Sequence, residues 1–347
     1  MSASSSPAAS GLPQPRRPTF DLFARNHPTS ALGANPHLGF GSSGMSRDWI
    51  SDETAFGAFE AAWEAGIRTI DTAPFYGTGR SEVLVGRALA GIPRDDYILS
   101  TKVGRTVLGA PRKGEAGTGW EFDYSADAIL RSIDESLARL RVDRIDLLYI
   151  HDANQHIDQA IGETFPVLAD LRDQGVIRAI GAGLTTVDPF LRFARETDID
   201  WFLVAGRYSL LVMDGLAELL PLAQEKGIGV VIAQALAGGL IDGQPNPRLF
   251  YAPPDDVTRA KVSRIAAVCH RHGVPTAAAA IQFPLAHPAV RGLLTGPETA
   301  AQMRQNLGWW TVPIPDALWD DLKAEGLLPA EAPTPTTATT STTTTTA

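Results

Sequence analysis

Four side chains in the first half of the chain could together move a proton and hold an oxygen: Asp71, Tyr76, Lys102 and His151. Asp71 ends the run "RTID", Tyr76 follows in "TAPFYG", Lys102 closes "YILSTK" and His151 closes "IDLLYIH". A single Asp or Lys at the end of an apolar run is more often solvated or structural, and a lone His is more often a satisfied core residue. Three consecutive apolar runs ending on Asp, Lys and His, with a Tyr beside the first, form a pattern that chance rarely supplies. The chemistry explains the set. A tyrosine hydroxyl titrates near pH ~10, too high for a proton shuttle at neutral pH. A neighbouring ammonium favours the tyrosinate, and a carboxylate can pair with that ammonium and orient it. A histidine can hold a substrate oxygen beside the phenol. Asp71 then serves Lys102, Lys102 tunes Tyr76, and Tyr76 and His151 together contact the substrate.

Such a set needs neighbouring strand ends, and the chain supplies them. Eight strand-like runs occur: "HLGFGSS" (37–43), "RTIDT", "YILSTK", "IDLLYIH", "IRAIGAG", "WFLVAGRY", "GIGVVIAQAL" and "VRGLLTG". Longer amphipathic runs separate them. The first, "SDETAFGAFEAAWEAG", has Ser51 or Asp52 as its N-cap and Gly66 at its end. Strict β-then-α order argues a parallel sheet with crossover helices. Eight units in about 290 residues fit a closed (β/α)8 TIM barrel, an α/β fold, better than an open doubly wound sheet. In that barrel the loops after the strands' C-terminal ends carry the chemistry. The stretch 103–124 is expected to be a long Gly-rich loop, and 159–174 a helix.

Composition bounds the rest. The chain has 347 residues, 44% of them hydrophobic, enough for one large domain or two of moderate size. A net charge of −9 and no long Lys/Arg run argue against a nucleic-acid partner. No apolar stretch reaches the roughly 18–20 residues of a membrane span. The single cysteine, Cys269, excludes an internal disulfide and suits a cytoplasmic protein. Residues 1–32, rich in Ser, Pro and Ala, and 329–347, rich in Thr and Pro, are expected to be disordered tails around a barrel domain at 33–328. Arg16-Arg17 invites an export reading, but no apolar segment follows. Seven scattered histidines make no metal-ligand pattern. "GFGSSG" satisfies G-x-G-x-x-G, yet "MSRDWI" stands where that fingerprint should open a helix.

From about residue 33 to 328 the chain resembles the aldo-keto reductases. "GIRTIDTAPFYGTGRSEVLVGRAL", "ILSTKVGR" and "IDLLYIHD" match the family's three signature regions in order. The loop before Glu82 is longer than in many members. The resemblance implies a catalytic tetrad of Asp71, Tyr76, Lys102 and His151, and a nicotinamide cofactor. It places Ser42, Gly44 and Met45 along the cofactor in the first loop, with Asp71 beneath it and Tyr208 stacked on the nicotinamide. Gly183-Leu184 stand where most members have Ser-Asn, and Ala205-Gly206 where many have Gln-Asn. After the eighth strand, NADPH-preferring members carry Lys or Arg; here the chain has Gly296, Pro297, Glu298 and Gln302. A carboxylate repels a 2′-phosphate but can accept from a ribose diol, so NAD is favoured, with Arg304 keeping NADP open. Gln305 and Asn306 match the adenine-side amides.

"LVAGRYSLL" is similar to one branch of the family, the D-threo-aldose (L-fucose) 1-dehydrogenases and the related pyridoxal 4-dehydrogenase. The implied reaction is NAD-dependent oxidation of an aldose of the L-fucose, D-arabinose or L-galactose type at C1 to the lactone. Oxidation of pyridoxal through its hemiacetal, NADPH-dependent reduction of an aldehyde or ketone, and non-catalytic cofactor sensing stay open as alternatives. The pocket is expected to be lined by 103–124 with Trp120 and Phe122, by 241–253, and by Trp309-Trp310. Such aromatic residues suit a sugar face or a pyridine ring equally. The partner is then a small sugar or aldehyde, and the protein a monomer or homodimer.

Overall fold

A computed structural model describes residues 20–33, 36–110, 112–250 and 252–336. Among these the strands are β1 (Leu38–Gly41), β2 (Thr69–Asp71), β3 (Ile98–Val103), β4 (Arg105–Leu108), β5 (Gly119–Phe122), β6 (Leu147–His151), β7 (Ala179–Leu184), β8 (Trp201–Ala205), β9 (Gly229–Ala233) and β10 (Val290–Thr295). Eight of them close a barrel in the order β1-β10-β9-β8-β7-β6-β3-β2, with every neighbouring pair parallel. These eight are the eight runs marked in the sequence. Some of the helices start where a short polar side chain satisfies an open amide. Ser51 accepts from Thr54 N before Asp52–Glu64, and Ser125 accepts from Ala128 N before Ala126–Leu140.

Alternation along the strands decides what fills the barrel. On β3 the inward positions run Ile98, Ser100, Lys102, and on β6 Leu147, Tyr149, His151: apolar at the bottom, polar at the top. The lower layer (Ile98, Leu147, Ala179, Trp201, Leu203, Val231 and Leu294) packs against Phe20, Leu22 and Phe23. Residues 20–32, placed by composition in a tail, thus close the barrel floor. Thr69 Oγ1 donates to the Leu22 carbonyl at 2.7 Å, and Asn26 Oδ1 accepts from the amides of Arg68 and Thr69 at 2.7 and 3.0 Å. A Cβ on Gly292 would lie 2.3 Å from the Phe23 ring, so only glycine admits this plug. Three apolar residues in a Pro- and Ser-rich context show no periodicity, which is why the sequence pattern passes over them. The remaining expected tail residues, 1–19 and 337–347, lie outside the described residues.

Two other expectations change. The loop expected at 103–124 contains a hairpin, with β4 antiparallel to β5 and Val107 opposite Trp120. Four-residue strands around a Gly-rich connection leave too short a pattern to detect. The helix expected at 159–174 is interrupted by a π turn at Ala160–Thr164 ahead of Phe165–Asp173. Pro166 cannot donate to the carbonyl one turn back, and a widened turn accommodates that. No helix among the described residues is long and apolar enough to cross a membrane, and no group of three or more His, Cys, Asp or Glu among them could hold a metal ion.

Candidate active site

The barrel register brings three strand ends together. Asp71 pairs with Ser100 across β2–β3, and Lys102 with Tyr149 across β3–β6. Lys102 Nζ donates to Asp71 Oδ2 at 2.6 Å and to the Thr72 carbonyl at 2.7 Å. Ser100 Oγ occupies the other Asp71 oxygen at 2.8 Å. Lys102 is 1% exposed, and its Nζ stands over the Tyr76 ring, 4.8 Å from the centroid. Burial works against the ammonium, but Asp71 and Tyr76 outweigh it and hold Lys102 above the usual lysine range. The His151 ring stands edge-on to Tyr76 at 5.9 Å. Burial first, then the charges of Lys102 and Arg105, push His151 well below the usual histidine range. It is therefore a neutral ring at physiological pH. Its Nδ1 is buried with no hydrogen-bond partner.

Beside this cluster lies a second one that the sequence reading did not single out. Arg105 Nη1 donates to Asp152 Oδ2 at 2.5 Å, and Asp152 Oδ2 lies 3.7 Å from His151 Nε2. The guanidinium carbon stands 3.3 Å from the centroid of Phe75, 4.1 Å from Trp120 and 5.1 Å from Phe122. The hairpin carries Trp120 and Phe122 onto the Arg105 guanidinium. A cavity of about 320 Å³ opens here, lined by Phe75, Arg105, Phe122, Asp152, Asn154 and Thr185 among others. Both missed residues sit inside quoted motifs, Arg105 in "STKVGR" and Asp152 in "LLYIHD". For Asp152 the available signal was a charge immediately after a polar strand end. A larger groove of about 540 Å³, lined by Phe56, Trp63, Arg87 and Ile92 among others, runs outside the barrel and includes none of the strand-end residues.

The expected cofactor residues divide by what their side chains already do. Ser42 Oγ bonds Ser81 Oγ at 2.7 Å, and Met45 is fully buried. A Cβ on Gly44 would fall 2.6 Å from the Pro297 carbonyl oxygen and 2.9 Å from that of Gly296, so Gly44 lets the loops after β1 and β10 touch. A Cβ on Gly183 would lie 3.9 Å from Lys102 Cε. Asn306 donates to Thr295 Oγ1, while Gln305 is exposed. Glu298 is engaged: Trp49 Nε1 donates to it at 3.2 Å and Arg47 Nε lies 3.9 Å away. Gln302 accepts from the Glu298 amide at 2.7 Å, which holds that turn at the start of the helix Ala300–Trp310.

Two placements differ from expectation. Tyr208 is fully buried, with its ring against Phe283 and His287 at 5.4 and 5.8 Å and its hydroxyl without a partner. A ring enclosed in this way has no exposed face for stacking. Trp309 ends the helix that follows β10, and a crossover helix runs back antiparallel to its strand. It is therefore carried to the closed end of the barrel, where its carbonyl accepts from Gln282 Nε2 at 2.9 Å and its neighbour Trp310 donates to the Leu32 carbonyl at 3.1 Å. Trp309 is not a wall of the cavity. Spacing along a helix does not say which end of it faces the chemistry.

Comparison with known proteins agrees with this geometry. The aldo/keto reductase family matches residues 37–325. D-threo-aldose 1-dehydrogenase from a Pseudomonas species is 40% identical over 85% of this chain and 95% of its own. Pyridoxal 4-dehydrogenase from Microbacterium luteolum is 38% identical over 80% and 90%. L-galactose dehydrogenase from Arabidopsis thaliana is 33% identical over 78% and 82%. Among solved structures, an aldo-keto reductase from Bacillus halodurans in its holo form matches with a TM-score of 0.68 at 28% identity, covering 83% of this chain and 91% of that one. A barrel closed in this order, with buried Asp, Lys and His at successive strand ends beside a Tyr, and matches of this length and identity, lead to one conclusion: the chain belongs to the aldo/keto reductase family, oxidoreductases that use nicotinamide cofactors.

Proposed function

We propose that this protein oxidises the C1 hydroxyl of a cyclic aldose to the lactone, with NAD as the favoured cofactor. One observation carries the reading: Lys102, buried and paired with Asp71, holds its ammonium 4.8 Å from the centre of the Tyr76 ring. The charge on Lys102 favours tyrosinate, which takes the proton from the C1 hydroxyl. His151 stays neutral and holds the same oxygen by a hydrogen bond without competing for the proton.

A bound nicotinamide supplies the acceptor for the hydride that leaves C1. The residues present suit one. His151 Nδ1 is an orphaned buried atom at the open end of the barrel. Gly183 sets no side chain over Lys102: a Cβ there would come 3.6 Å from Leu203 and 3.9 Å from Lys102 Cε. Gly183 and the backbone of the loops after β1 and β10 would hold the cofactor, since the Ser42 and Asn306 side chains are bonded elsewhere. Glu298, at the expected ribose end, supports NAD over NADP, although its pairing with Arg47 brings a cation to the same place.

The aldose reading also draws on D-threo-aldose 1-dehydrogenase and L-galactose dehydrogenase as relatives. Oxidation of pyridoxal through its hemiacetal is a second reading, favoured by the 38% identical pyridoxal 4-dehydrogenase and by an aromatic wall that a pyridine ring would fit. Initial rates with NAD and NADP against L-fucose, D-arabinose, L-galactose, pyridoxal and simple aldehydes test both. Aldose turnover with NAD is the expected result. Turnover of pyridoxal alone would replace the first reading with the second, and no turnover of anything would favour a cofactor sensor.

A further inference from the structure

We infer that Arg105 and Asp152 form a specificity subsite that binds the hydroxyl on the carbon next to the reacting one, so that preferred substrates are aldoses bearing a C2 hydroxyl. The inference rests on the aldose reading and narrows it.

Position comes first. Asp152 follows His151 and its carboxylate lies 3.7 Å from His151 Nε2, close enough for the two to reach groups on adjacent carbons of one substrate. The Arg105 guanidinium carbon stands over Phe75, the residue before Tyr76, 3.3 Å from the ring centroid. An oxygen held between Tyr76 and His151 therefore has its neighbour beside this pair. The turn that aims Asp152 is unusual: its φ of +50° is in the left-handed region, uncommon outside glycine and tolerated by Asp. In that conformation its amide donates to the Gly183 carbonyl at 2.9 Å and its carboxylate reaches Arg105.

Burial and unused capacity come second. The Arg105 and Asp152 side chains are 8% and 10% exposed. Ion pairs this deep carry a large desolvation cost, and apolar residues often replace them without loss of stability. Here the pair borders a cavity of about 320 Å³, and Arg105 Nε is buried with no partner. Burial also pushes the Asp152 carboxyl up against the pull of Arg105, as expected of a carboxylate not fully compensated by its partner. A sugar hydroxyl can donate to Asp152 and accept from Arg105 at once, which a hydrogen-bond acceptor alone cannot do.

The walls come third. Phe75, Trp120 and Phe122 crowd around the guanidinium and offer apolar faces to the C–H side of a pyranose. Asn154 and Thr185, themselves bonded at 3.1 Å, line the same cavity with further polar groups. A pyridoxal hemiacetal has only an aromatic carbon beside its reacting centre, with no C2 alcohol to satisfy the pair.

The test compares D-arabinose with 2-deoxy-D-ribose, which is the same sugar without the C2 hydroxyl, in wild type, Asp152→Asn and Arg105→Lys. A charge-assisted hydrogen bond to the C2 hydroxyl should make the wild-type kcat/KM ratio roughly ten- to a hundredfold in favour of D-arabinose. In both variants the ratio should collapse toward one, the loss on D-arabinose exceeding that on the deoxy sugar. Arg105→Lys keeps the charge and loses the planar fork, so it serves as the second variant if Asp152→Asn does not fold. A wild-type ratio near one overturns the inference before any variant is made. So does an equal loss on both sugars, which would mark the pair as scaffolding, or an unchanged ratio in folded variants. No turnover of D-arabinose, L-fucose or L-galactose overturns the aldose reading itself, a distinguishable result.

Discussion

Adjacent residues on β3 begin two buried networks that use the same chemistry for different ends. Thr101 points outward and donates to Glu82 Oε1 at 2.6 Å; Arg139 Nε donates to Glu82 Oε2 at 2.7 Å. Arg139 also donates to Ser136. Strand, second helix and third helix are thereby bolted together around a carboxylate that is fully buried. Lys102 points inward and pairs with Asp71 at almost the same distance, 2.6 Å. The outer network runs on through Arg139 to Glu135 at the surface, away from the strand ends. The inner one continues to Tyr76, and beside it stands His151 with an unpartnered nitrogen. The choice of cation follows. Arginine stays charged and its fork can satisfy several acceptors at once, which suits a bolt. Lysine is a compact charge that responds to its surroundings, which suits a group that sets the state of a phenol.

That contrast can be broken by experiment. The largest effect is expected at the inner network's end: Tyr76→Phe keeps the ring and should lower kcat by ~10²–10⁴-fold with cofactor binding and Tm retained. A near wild-type rate would remove Tyr76 from the mechanism. Glu82→Ala should do the reverse, costing about 3–5 kcal/mol of stability in denaturant melts because Arg139 loses its buried carboxylate and keeps only the partly exposed Glu135 at 3.5 Å. The surviving folded fraction should turn over within a few-fold of wild type; a large loss of kcat per folded molecule would erase the distinction between the two networks.

Lys102→Met tests the tuning itself. If the protein oxidises as proposed, its rate should rise with pH as the Tyr76–Lys102 pair releases a proton. Because the positive charge favours tyrosinate, its removal should shift that limb to higher pH. His151, held well below its usual range, should add no limb of its own near neutrality. An unshifted limb in the mutant would mean that another group or a later step sets the profile. The smallest effect is expected at an exposed pair. Glu298 and Arg47 are 30% and 55% exposed, so Glu298→Gln should change stability by less than about 1 kcal/mol. It should nonetheless free Arg47 and raise the NADP/NAD ratio of kcat/KM by roughly tenfold. Gln302 is better left intact, since it holds the Glu298 amide. A wild type that already prefers NADP would sink the cofactor reading.

The barrel was legible because a strand-and-helix rhythm survives in one dimension: period-two runs and capped amphipathic runs alternate through the chain. Asp71, Lys102 and His151 were legible for the same reason, since a polar residue closing an apolar run marks the top of a strand wherever the strand sits. Contacts without a local pattern were not. Phe20, Leu22 and Phe23 carry no periodicity of their own, and only the closed sheet supplies the floor they plug. Tyr208 lies in a motif that suggests stacking, yet the turn after β8 folds its ring into the core.

What the sequence determined by itself, then, is the order of elements and the residues that end them, because hydrophobic periodicity and helix caps are local physics. Tertiary structure alone decided which ends face each other and which end of each helix is open. Arg105 and Asp152 are 47 positions apart, and they meet because β3 and β6 are neighbours in the barrel and because a short hairpin stacks Trp120 and Phe122 over the guanidinium. Trp309 was assigned to the wrong end of the molecule because an antiparallel return reverses direction, a fact that exists only once the chain has packed.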